Sequence, residues 1–196
     1  MRTHTGPDRR KAAGINLPTR LTLARIFLVP LLMVFLIADG RSPSYAAVAV
    51  FLTAVLTDWL DGHIARATSQ VTTLGKLLDP IADKLLIAAA LITLVQVGRV
   101  PAWMVVVLVG RDLAVTGLRG IAAAHGLIIP ASDLGKYTMA AEVVAVTLLL
   151  SGWSPAPPGL PGPSLGLLAL GAAGLLALLS GVDYFLKFWR RIDLGR

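Results

Sequence analysis

Long apolar runs separated by short polar breaks organise the chain, at about residues 20–39, 44–67, 76–98, 101–125, 135–153 and 164–190. Each run is hydrophobic all round and lacks the one-sided stripe of a surface helix, so each is read as a helix in apolar surroundings. The breaks Asp39-Gly40-Arg41-Ser42-Pro43 and Gly98-Arg99-Val100-Pro101 are short and turn-forming. The fifth break, Ser151 to Pro163, is rich in proline and is expected to be stiff and extended. The predicted fold class is an all-α integral membrane protein, a six-transmembrane-helix bundle occupying residues 16–196. Residues 1–15 are polar and basic and are expected to form a flexible cytoplasmic tail. A cleaved signal peptide is disfavoured by the long polar lead and the long apolar run after Arg25.

Charged positions within the runs are not scattered. They fall at the start of the first (Arg20, Arg25), the end of the second (Asp58, Asp61, Arg66) and the start of the third (Lys76, Asp79, Asp83). The pattern continues at the end of the fourth (Arg111, Asp112, Arg119), the start of the fifth (Lys136, Glu142) and the end of the sixth (Asp183, Lys187). In an up-down bundle all of them share one half, which predicts a polar chamber there and an apolar seal opposite. Basic residues cluster at both termini (Arg2, Arg9, Arg10, Lys11; Arg190, Arg191, Arg196), which places both termini and the chamber mouth on the cytoplasmic side of a multi-pass inner-membrane protein.

Composition agrees: 56% of the 196 residues are hydrophobic, too many for one soluble core to hide. The formal charge of +7 could serve a nucleic acid, but the basic residues border apolar runs and no long basic stretch carries interleaved aromatics. An anionic lipid leaflet is the better partner, and no nucleic acid is expected. The absence of cysteine excludes disulfides and thiolate metal sites.

The candidate chemistry lies between Asp58 and Asp83, where Asp58, Asp61, Asp79 and Asp83 account for four of the eleven acidic residues. Positions three and four apart share a helix face, so Asp58 and Asp61 project together from one helix, and Gly75, Asp79 and Asp83 from the next. Four unpaired carboxylates would oppose insertion into a bilayer by about 10 kcal/mol, at roughly 2.5–3.5 kcal/mol each. A salt-bridge network with Arg66 and Lys84 would leave two carboxylates unmatched. A bound divalent cation removes the difficulty, and oxygen-only ligands favour magnesium or manganese over zinc.

The run Asp-x2-Asp-Gly-x2-Ala-Arg-x8-Gly-x3-Asp-x3-Asp resembles the signature of the CDP-alcohol phosphatidyltransferases, integral membrane enzymes that make phospholipid head-group bonds. The resemblance implies two divalent cations, Mg2+ or Mn2+, on Asp58, Asp61, Asp79 and Asp83, with Asp83 also the general base. It implies that Gly62, Ala65, Arg66, Thr72 and Gly75 bind CDP-diacylglycerol, and that the protein is a homodimer. The glycines could otherwise be ordinary packing residues. His4, His63 and His125 are assigned no role.

Asn16-Leu17-Pro18-Thr19-Arg20-Leu21-Thr22-Leu23-Ala24-Arg25, then Gly110-Arg111-Asp112 with Thr116, Leu118 and Arg119, then Gly135-Lys136, resemble the bacterial phosphatidylglycerophosphate synthases of that family. Those enzymes usually continue Gly-Lys-x-Lys-Thr-x-x-Gln, whereas here Thr138, Met139 and Glu142 stand at the last three named positions. The expected reaction transfers a phosphatidyl group from CDP-diacylglycerol to soluble glycerol 3-phosphate, with Arg111, Arg119 and Lys136 as candidate phosphate clamps. A cardiolipin synthase is the alternative within the family. Outside it, intramembrane aspartates also build cation or proton pathways. A stripe of small residues, Ala169, Ala173, Ala177 and Gly181, would suit either a dimer interface or close packing within one bundle.

Overall fold

The computed structural model describes residues 17–68, 73–124, 133–152 and 164–193. The basic segment before Leu17, Thr72, His125 and the proline-rich connection lie outside them. The described residues form six helices: α1 Leu17–Asp39, α2 Tyr45–Thr68, α3 Thr73–Gln96, α4 Ala102–Ala124, α5 Asp133–Ser151 and α6 Leu165–Asp193. No strand occurs among the described residues. Helix α3 begins at Thr73, three residues before the apolar run that predicts it, so Pro80 sits two turns inside the helix.

Helix α1 packs against α2 and α3, α5 pairs extensively with α6, α4 rests on α6, and α5 meets α2 and α3 to close the bundle. The core is leucine-rich, with Leu32, Leu36, Phe51, Leu86, Leu91, Leu94, Val146, Leu150 and Leu170 buried. The outer surface is apolar too. Phe27, Val34, Leu56, Ile92, Val106, Leu175 and Leu179 are all exposed. An exterior of large hydrophobic side chains suits hydrocarbon, not water. Two stretches, Leu134–Ser151 and Leu165–Arg190, are long and apolar enough to cross a membrane. Shorter apolar stretches run over Tyr45–Asp58 and Lys84–Gln96, each bounded by charge at one end.

The small-residue stripe works within one chain. Ala173 and Ala177 are fully buried, and a Cβ on Gly181 would stand 3.3 Å from the Arg111 side chain of α4.

Helices α1, α3 and α5 finish at the same end of the bundle, and each is followed by a glycine in the left-handed region. At Gly98 (φ 70°) and Gly152 (φ 63°) this conformation lets the N–H turn back onto the Val95 and Leu149 carbonyls. Arg99 ties these turns together: Nη1 donates to the Ser42 carbonyl at 3.2 Å and Nη2 to the Leu149 carbonyl at 2.5 Å. Burial pushes its guanidinium below the ordinary arginine range, and the Asp39 charge opposes that shift. The Ser44 N–H donates to the Leu150 carbonyl at 2.9 Å, which completes the clasp.

Candidate active site

At the opposite end, polar residues of α3, α4, α5 and α6 converge. Arg111, Asp112, Val115, Thr116 and Arg119 fall on one face of α4 because they recur at three- and four-residue intervals. Gly135, Lys136, Met139 and Glu142 do the same on α5, and Ser180 and Tyr184 on α6. With Lys84 and Ile87 of α3 they enclose a cavity of about 270 Å³. The three candidate phosphate clamps, Arg111, Arg119 and Lys136, all line it.

A chain of charge runs through its wall. Arg111 donates to the Ala177 carbonyl through Nε at 3.2 Å, to Asp112 Oδ1 through Nη1 at 2.7 Å, and to Ser180 Oγ through Nη2. Asp112 Oδ2 accepts from Lys84 Nζ at 2.8 Å. The network links α6 to α4 to α3 and fixes the Arg111 guanidinium. Arg119 is exposed, and its guanidinium carbon lies 5.6 Å from the centre of the Tyr184 ring. Lys136 is exposed as well. Arg119 is therefore an adjustable cation, and Arg111 a fixed one.

The carboxylate segment adjoins this cavity along the chain. Asp58 and Asp61 lie one turn apart in α2, and Asp79 and Asp83 one turn apart in α3, with cavity-lining Lys84 directly after Asp83. Asp58 Oδ1 stands 2.5 Å from Nη1 of Arg25, which is 1% exposed in α1. Lys84, the cation that the sequence offers as a partner for the aspartates, is held by Asp112 instead. The side chains of Asp61, Gly62, Ala65, Arg66, Gly75, Asp79 and Asp83 lie outside the described residues, as does Thr72. Among the described residues no group of three potential metal ligands occurs. The donor set nevertheless fits a hard divalent ion, since it is all carboxylate and the arginine on Asp58 does not match four negative charges.

Three features escaped the sequence reading. Arg25 is the partner of Asp58, Asp112 is the bridge between two cations, and Ser180 and Tyr184 bring α6 into the cavity. The available signal was the isolated polar residue in an apolar run, which Ser180 and Arg25 both are. The missing lysine at position 138 has a structural answer: Thr138 is buried outside the cavity wall, its hydroxyl donating to the Leu134 carbonyl at 2.8 Å. Met139 and Glu142 do line the cavity, and Glu142 is buried there.

Beside this cavity is a second one of about 310 Å³ between α3 and α4, lined by Leu85, Leu91, Leu108 and Leu113 and sharing Lys84, Asp112 and Glu142 with the first. A lipid-facing helical bundle with carboxylates, cations and an apolar cavity gathered at one end is the arrangement of an intramembrane group-transfer enzyme. The sequence profile described as CDP-alcohol phosphatidyltransferase matches residues 15–181, and the chain belongs to that family. It is 42% identical to a Bacillus subtilis CDP-diacylglycerol–glycerol-3-phosphate 3-phosphatidyltransferase, over 90% of this chain and 97% of the relative. It is 38% identical to a probable phosphatidylglycerophosphate synthase of Mycobacterium tuberculosis, over 97% of this chain and 89% of that one. A rice cardiolipin synthase (CMP-forming) is 35% identical over 90% of this chain and 58% of its own length.

Proposed function

We propose that this enzyme transfers the phosphatidyl group of CDP-diacylglycerol to glycerol 3-phosphate, releasing CMP and forming phosphatidylglycerophosphate in the cytoplasmic half of a cell membrane. The observation that carries this reading is the cavity lined by Arg111, Arg119 and Lys136 together with Lys84, the residue after Asp83 in the sequence. A phosphomonoester presents up to two charges and three acceptor oxygens, which such a cluster matches. The names of the full-length relatives support the same acceptor.

The donor's diphosphate belongs beside Asp58, Asp61 and Asp79, with Gly62, Ala65, Arg66, Thr72 and Gly75 against the nucleotide. Its acyl chains suit the adjoining apolar cavity and the lipid outside. Asp58, Asp61, Asp79 and Asp83 would hold magnesium or manganese ions, which would neutralise charge on the donor's diphosphate and on the departing CMP. Arg25 orients Asp58 within that set. Asp83 accepts the proton of the acceptor hydroxyl as the new oxygen–phosphorus bond forms and the bond to CMP breaks. Arg119 and Lys136 hold the acceptor's phosphate so that its hydroxyl lies in line. Six spans with both termini cytoplasmic give both substrates a common chamber, and the one-ended distribution of charge supports that topology.

A lipid acceptor is the second reading, favoured by the apolar Met139 in the cavity wall and by the rice relative. One experiment separates the two. Purified protein receives CDP-diacylglycerol and magnesium or manganese with glycerol 3-phosphate, inositol phosphate, serine or phosphatidylglycerol in separate reactions. Phosphatidylglycerophosphate from the first reaction alone is expected. Cardiolipin from the last, with the first silent, overturns the acceptor.

A further inference from the structure

Tyr184 is 2% exposed, lines the cationic cavity, and carries a buried hydroxyl with no hydrogen-bond partner among the described residues. Buried polar groups are almost always satisfied, so an orphan at a cavity wall calls for a partner that arrives from outside. The ring itself is well placed. It packs with Val115, Ala122 and Phe188, and Arg119 lies over its face.

We propose that Tyr184 determines specificity in the acceptor subsite: its ring stations Arg119, and its hydroxyl bonds to the acceptor's phosphate or adjacent oxygen. The inference rests on the acceptor reading above and deepens it. The cavity's other described groups explain why a phenol suits this place. Lys84, Arg111 and Asp112 are bonded to one another, whereas Arg119 is exposed and lies over the Tyr184 ring. An exposed arginine offers a phosphate a matching fork, but its long stem lets that fork take up several positions. A phenol on a packed ring adds a neutral donor in one fixed direction. Arg119 is the movable part, and its shift from the ring toward a bound anion brings the hydroxyl within the acceptor's reach.

The test compares full-length wild type with Tyr184→Phe, which keeps the ring, its packing and the cation–π contact and removes only the hydroxyl. Steady-state KM for glycerol 3-phosphate is expected to rise about ten-fold, the equivalent of one hydrogen bond of roughly 1.4 kcal/mol. KM for CDP-diacylglycerol and the melting temperature are expected to stay within error. Unchanged glycerol 3-phosphate KM overturns the proposal, and so does an equal rise in both KM values. Tyr184→Leu also removes the seat of Arg119 and should weaken the acceptor further. If wild type turns over only a different acceptor, the functional reading fails, and the same KM comparison with that acceptor decides the role of Tyr184 separately. Calorimetric titration with glycerol 3-phosphate repeats the comparison without turnover.

Discussion

Arg25 of α1 reaches Asp58 of α2 at 2.5 Å, so the most deeply buried cation among the described residues meets one of the four carboxylates of the family motif. Such a contact fixes the carboxylate's rotamer and pins α1 to the start of the site. Removing one partner of a buried pair leaves the other charge without its counterpart, which typically costs about 3–5 kcal/mol. Because Asp58 is 31% exposed, the low end applies. Asp58→Ala should lower the melting temperature in detergent by more than Asp61→Ala does. Equal melting of the two variants would show the pair to be energetically idle.

Asp83→Asn separates binding from turnover. The amide keeps one oxygen but takes up no proton, so CMP release should fall by about 10²–10⁴-fold while CDP-diacylglycerol still binds. Asp61→Ala should instead weaken metal and nucleotide binding together, as a metal titration would show. Near-normal CMP release by Asp83→Asn removes that residue from the proton transfer.

Among the cavity cations, the bonding pattern predicts different phenotypes. Lys136→Ala and Arg119→Ala should raise KM for glycerol 3-phosphate by roughly 10–150-fold, the loss of one charge-assisted contact of about 1.5–3 kcal/mol. Arg111→Ala should also melt early, since it unclips α4 from Ala177 and Ser180 of α6. Melting curves beside the kinetics distinguish the two behaviours.

Arg99→Ala should do the reverse. It removes the donor to Ser42 and Leu149 at the end remote from the chemistry. The expected loss is about 1–3 kcal/mol of stability, with both KM values unchanged at low temperature. A changed KM would mean that the two ends of the bundle are coupled.

Topology is testable with the same chain, which has no native cysteine. Cysteine at Ser154 or Ser164 should react with an impermeant thiol reagent only from outside. Labelling from the cytoplasmic face alone would refute the six-span arrangement and the common chamber.

The helices were legible because a long run of apolar residues has few other fates, and their ends fell within a few residues of the hydropathy boundaries. The start of α3 was not, since Thr73 and Leu74 read equally well as loop. Arg111, Arg119 and Lys136 were found because charge in an apolar run is conspicuous. Which cation would meet which anion was hidden. Lys84 adjoins Asp83 in sequence yet bonds Asp112 across the bundle, an outcome set by helix rotation and not by spacing. Ser180 was inconspicuous because a lone serine hydroxyl in an apolar helix is commonly satisfied by its own backbone, and Tyr184 because an aromatic ring there reads as packing.

The clasp formed by Gly98, Gly152 and Arg99 has a practical corollary for anyone handling this enzyme. This anchor lies at the pole away from the cationic cavity, so the segments around 40–44, 97–101 and 149–152 offer ground for thermostabilising substitutions that are expected to leave substrate recognition untouched. Enzymes whose anchoring and working residues interleave rarely permit that separation. Here a library confined to one pole could be selected on heat resistance alone, with turnover expected to survive without being screened for.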